Sequence, residues 1–135
     1  MRALQPVSIA LALSMAATAA AGEFDGTSPL TCKADKAHDC LPTETACSGL
    51  TPETDIEPIF AIDFAKKEVR SPYRTALLPV ANTTTNKDSL VIQGADLAFA
   101  YSALVDRKTG ALTIVVADSK GAYVAFGQCS VAVAK

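Results

Sequence analysis

The stretch TCKADKAHDCLPTETAC, residues 31–47, holds three of the chain's four cysteines and its only histidine. Thiols and an imidazole could bind a metal, act as nucleophile and base, or simply be cross-linked. Spacing separates these outcomes. Zinc sites pair ligands as C-x2–4-C, so that one tight turn delivers two thiolates to the same ion. Here the spacings are C-x7-C-x6-C, followed by a long gap to Cys129. No C-x-x-C redox motif occurs. The pattern predicts disulfides among Cys32, Cys40, Cys47 and Cys129. Four cysteines allow three connectivities. Cys32–Cys129 with Cys40–Cys47 is preferred, since it ties the first strand to the last and clips the loop around Leu41-Pro42. The competing arrangement is Cys32–Cys40 with Cys47–Cys129.

With the thiols oxidised, His38 has no sulfur co-ligands and reads as a solvated turn residue. Its alternative role is in a small hydrolase or metal-dependent site. Serine chemistry would need a histidine partner, and no G-x-S-x-G elbow occurs. Asp63 and Asp106 are the acids nearest apolar strands, but turn and solvent positions suit them better than an acid–base pair. Glu53, Asp55 and Glu57 lack the D-x-D-x-D-G calcium loop and read as a solvated acidic segment. The seven glycines are dispersed, so no phosphate-cradling loop forms. No catalytic, metal or cofactor-binding residue is assigned, and the chain is expected to be non-enzymatic. Arg70, Tyr73 and Arg74, grouped around Pro72, are the candidate contact surface, because loops on a rigid scaffold carry recognition.

The compartment follows from the N-terminus. Arg2 precedes an apolar run from Val7 to Ala17, and Ala19-Ala20-Ala21 fits a small-x-small cleavage site. This is the three-part pattern of a secretory signal peptide over 1–21. The run is short for a membrane span, which needs about 20 apolar residues. Removing Arg2 would take the formal charge from −2 to −3. Mild acidity with scattered basic residues offers no phosphate-tracking stripe, which argues against nucleic acid. Export into a periplasmic or extracellular space also suits oxidised cysteines.

Residues 22–135 read as one β-domain. Leu97, Phe99, Tyr101, Ala103 and Val105 alternate with Ala98, Ala100, Ser102 and Leu104, a period-two pattern that reads as a half-buried strand. Asp106–Gly110 is a turn. Ala111–Ala117 alternates again, Asp118–Gly121 is a type I turn, and Ala122–Ala134 completes a three-strand meander. Upstream, Ile59–Phe64 and Glu68–Arg70 form a pair around Ala65-Lys66-Lys67. Thr75–Val80 is an edge strand limited by Pro79. Residues 81–88 read as a polar loop, and Ser89–Gln93 as a strand with a bulge or tight bend at Gly94. Residues 48–57 look like a surface connection and 22–28 a loose terminus. The tyrosines and phenylalanines are expected to fill the core. The fold class is therefore all-β: a small antiparallel β-barrel or sandwich of about eight short strands, stapled by disulfides.

Ile62-Asp63-Phe64, the strand ending in Gly94, Tyr101-Ser102, Asp106-Arg107-Lys108-Thr109-Gly110 and Phe126-Gly127-Gln128-Cys129 together resemble a group of small exported bacterial β-proteins. That group shares an aromatic-Ser before D-R-x-T-G and a closing F-G-x-C. The likeness spans roughly residues 58–130 and implies a fold plan and a periplasmic address. A fainter similarity links the chain to bacterial inhibitors of C-type lysozyme, also small exported β-barrels with an early and a late cysteine. The chain departs from that family in its inhibitory motif, a Ser-Gly-x-x-Tyr type segment followed by a Lys-Gly element, for which Tyr101-Ser102 and Lys108-Thr109-Gly110 are poor substitutes. The combined expectation is an envelope binding protein for an unidentified protein or small ligand, with an inhibitor role as an alternative.

Overall fold

The computed structural model describes residues 24–52 and 55–132. The segment read as a signal peptide lies outside the described residues. Ten strands occur among them: β1 (Leu30–Cys40), β2 (Ser48–Gly49), β3 (Ile59–Asp63), β4 (Glu68–Arg70), β5 (Leu78–Pro79), β6 (Asn82–Thr85), β7 (Ser89–Ala95), β8 (Phe99–Asp106), β9 (Ala111–Asp118) and β10 (Gly121–Val131). All pairings are antiparallel, in one sheet of order β5-β4-β3-β1-β10-β9-β8-β7-β6, with β2 attached to β1. The fold is all-β, as the alternation predicts.

The two ends of that path are neighbours in the chain. Only Val80 and Ala81 separate β5, which pairs with β4, from β6, which pairs with β7. Val80 N donates to Lys67 O at 2.9 Å, and Ala81 N to Gln93 O at 2.9 Å. The sheet therefore curls until both edges meet on one segment. Such curling removes the exposed edge that a flat sheet would offer to other chains.

Period-two patterning fills the inside. Leu30, Phe60, Ile62, Val69, Leu78, Leu90, Ile92, Ala103, Val105, Ile114 and Val116 are essentially inaccessible. Cys32 faces Cys129 across β1 and β10, and the two form a disulfide within this core. A second disulfide joins Cys40 and Cys47 across a loop at the end of β1. Turns are set by side chains. Asp106 Oδ1 accepts the backbone N–H groups of Lys108 and Thr109, both at 2.9 Å, and Gly110 adopts φ +76°. Asp118 Oδ1 does the same for Lys120 at 2.8 Å and Gly121 at 3.1 Å. Asp63 Oδ1 accepts from Lys66 N at 3.0 Å. The carboxylates of Asp63 and Asp106 are thus occupied by turn geometry.

Several expectations are corrected. Residues 82–85 are a strand, not part of a loop: their backbone pairs with β7 although every side chain is exposed, so no apolar alternation marks them. Gly94 makes no bulge; the β7–β8 register runs unbroken from Gln93↔Ser102 through Gly94↔Tyr101 to Ala95↔Ala100. The register shift falls instead in β1, between Ala34 and Lys36. Leu97 is fully exposed in the turn before β8, which begins at Phe99. The stretch 48–57 contributes the short strand β2, and Thr75–Leu77 lies outside β5. The segment from residue 24 is anchored: Phe24 is buried, its carbonyl accepts from Arg107 Nε at 3.1 Å, and Thr85 Oγ1 donates to Asp25 O at 2.9 Å. Phe126 is the aromatic that does not enter the core; with Leu104 and Val115 it stands exposed on the outer face.

Candidate functional site

Ser71–Leu77 connects β4 to β5 and lies across one end of the curled sheet. Proline at 72 removes a ladder donor and ends β4, so the chain leaves the sheet there. Three sets of contacts pin the segment. Ser71 Oγ, buried, accepts from Tyr73 N at 3.1 Å and is hydrogen-bonded to Tyr123 Oη at 2.9 Å. The Tyr73 ring packs edge-on to Tyr123 and tilted on Phe60, with centroids 5.7 and 5.8 Å apart. Arg74 Nη1 reaches Asp118 Oδ2 at 3.2 Å, while its guanidinium sits 4.6 Å from the Phe99 ring centroid. The ring's negative face and the carboxylate hold the cation from two sides.

These contacts order the local electrostatics. Asp118 is held below the usual carboxylate range, chiefly by the Lys120 backbone N–H and further by Arg74. Burial pushes the Tyr73 and Tyr123 hydroxyls up, and for Tyr123 the Ser71 hydrogen bond works in the opposite direction.

Between this segment and residues 50–51 and 56–59 runs a groove of about 440 Å³. Leu50, Ile56, Ile59, Leu77 and the Pro72 and Tyr73 rings provide apolar walls, and Arg70, Arg74, Ser71, Thr51 and Thr75 provide polar ones. That volume lies within the range of small-molecule sites, about 300–1,000 Å³. The structure brings Arg70, Tyr73 and Arg74 together on this one groove, in distinct roles. Arg74 is tied to Asp118 and Phe99, and Tyr73 is half-buried as a wall. Arg70, exposed on β4, has no carboxylate within 4.0 Å among the described residues. Sequence reading misses Leu50, Ile56 and Leu77. Isolated apolar residues in loops carry no periodic signal, and only the tertiary fold brings Leu50 and Ile56 beside the 71–77 segment.

His38, expected in a solvated turn, instead sits half-buried within β1 because the strand runs on to Cys40, and it lies outside this groove. It pairs in register with Gly49 on one side and Val124 on the other, and it lines a shallower cleft with Ala34, Lys36, Pro58 and Tyr73. Leu50, Thr51 and Tyr73 form the wall that both clefts share. Among the described residues no group of three His, Cys, Asp or Glu side chains converges as metal ligands. All four cysteines are in disulfides. None of the described residues forms a helix long and apolar enough to cross a membrane. Comparison with protein-family models, with curated proteins and with solved structures finds no match to this chain.

Proposed function

We propose that this protein is a non-enzymatic binding module of the cell envelope, exported to the periplasm or beyond, and that the groove beside Ser71–Leu77 is its ligand site. The observation that carries the reading is the concentration of Arg70, Tyr73 and Arg74 with five aliphatic or proline side chains on one cleft of a rigid scaffold. Rigid strands and a pinned loop present a preformed surface, which lowers the ordering cost of binding. Two disulfides favour an oxidising compartment, where such cross-links persist. The signal-like 1–21 segment points the same way.

The test is retention of material from an envelope extract. The full chain is incubated with extract, repurified, and its cargo identified by mass spectrometry. Leu77→Asp and Arg70→Gln should lose the cargo that the parent chain retains, whereas His38→Ala should keep it. Leu77 and Arg70 are exposed, so neither change should alter stability by more than about 0.5 kcal/mol. Equal retention by the groove variants, or loss on His38→Ala alone, would move the site elsewhere.

A further inference from the structure

We propose that the groove selects single-chain amphiphiles carrying one negative charge, that is, fatty carboxylates. The inference rests on the groove being the ligand site and adds the class of ligand.

The argument starts from charge. Arg74 is already neutralised by Asp118 at 3.2 Å and stacked on Phe99. Arg70 is exposed and has no carboxylate within 4.0 Å among the described residues. Among the described residues, Arg70 is therefore the groove guanidinium with no acidic partner. Its planar fork matches a carboxylate in bidentate fashion. A single unpaired guanidinium compensates a single negative charge, and no acid is among the described groove-lining side chains to share a proton with a more highly charged head. A dianionic phosphate would therefore keep a second charge uncompensated in a largely apolar cleft.

The walls supply the second half. Leu50, Ile56, Ile59, Pro72 and Leu77 give the cleft an apolar lining, with Ile56 and Leu77 each nearly half-exposed in the unliganded protein. A flexible acyl chain laid along these side chains would cover them while its head met Arg70. A neutral apolar ligand would leave Arg70 unused, and a cationic one would be repelled by it.

The experiment is calorimetric titration of the full chain with decanoate, decanol, decyltrimethylammonium and decyl phosphate, all below micelle-forming concentrations. Decanoate should bind with unit stoichiometry and at least tenfold tighter than each of the others. Shortening to octanoate, by two methylenes, should weaken binding by about fifteenfold, since each buried methylene contributes about fourfold. Arg70→Gln should cut decanoate affinity at least tenfold while leaving decanol unchanged. Leu77→Asp should weaken both. Equal binding of decanoate and decanol, or preference for the phosphate, would overturn the proposal. Absence of binding by all four would overturn it too. In either case the groove as a site would survive if Leu77→Asp still released extract cargo. Both readings would fall together if the groove variants changed neither assay.

Discussion

Tyr101 and Tyr123 flank Val116 on neighbouring strands, yet their hydroxyls have opposite fates. Tyr123 Oη meets Ser71 Oγ at 2.9 Å, whereas Tyr101 Oη is buried without a hydrogen-bond partner. Removing a satisfied buried hydroxyl strands its partner, while removing an unsatisfied one relieves a desolvation cost. Tyr123→Phe should therefore destabilise by about 1–2 kcal/mol, and Tyr101→Phe should be neutral or stabilising by up to about 1 kcal/mol, as read by urea unfolding. The pH profile offers a second readout. Burial pushes the Tyr101 hydroxyl from its ordinary value of 10.0 up to about 12. A raised acid is protonated in the folded state when the unfolded chain has already ionised. Stability should thus hold below pH 10 and fall between pH 10 and 12. Tyr101→Phe should recover up to roughly 2 kcal/mol of that loss. An unchanged alkaline profile in the variant would refute this account.

At the level of elements, the informative position is Gly94, where β7 runs beneath Pro79. A Cβ there would overlap the Pro79 carbonyl oxygen and lie 2.8 Å from Tyr101 Cε1. The glycine allows two backbones to approach, one of the reasons glycine appears inside strands. Gly94→Ala should cost about 2–4 kcal/mol, from overpacking and from loosening β5 against β7. Hydrogen exchange should quicken first at Val80 and Ala81, whose amides join the two sheet edges. Uniform protection across the variant would contradict this. The glycine itself is conspicuous in the sequence, but its partner is not, because Pro79 belongs to a strand on the opposite side of the path. The meander β8–β10 is legible because alternation and Asp-to-Gly turns coincide there. Strand β6 is illegible for the converse reason: Asn82–Thr85 buries no side chain, and it is placed by backbone pairing with β7 and by the Thr85 Oγ1 bond to Asp25 O, neither of which leaves an apolar pattern.

For the molecule as a whole, the two disulfides close loops of very different length, with sequence separations of 97 and 7. Loop-closure entropy grows with the logarithm of loop size, so their contributions differ by less than their lengths suggest. Replacing Cys32 and Cys129 together by Ala should cost roughly 4 kcal/mol, and replacing Cys40 and Cys47 roughly 2 kcal/mol. Denaturant unfolding of the two double variants checks both values; equal losses would count against the long-loop argument. The second pair borders the 41–58 connection, so its removal should also slacken the groove wall around Leu50 and Ile56.

By itself the sequence determined the all-β class, the oxidisable set of cysteines, most strand positions and the cluster around Pro72, because period-two burial, turn chemistry and composition act locally. Only the tertiary structure decided that both sheet edges meet on residues 78–85. The tertiary structure alone also decided that Phe24 is anchored, and that Leu50, Ile56 and Leu77 share a groove with Arg70. Those outcomes depend on how far the sheet curls, which no short stretch of residues encodes. The curl is set by the sum of strand twist and core packing over the whole chain.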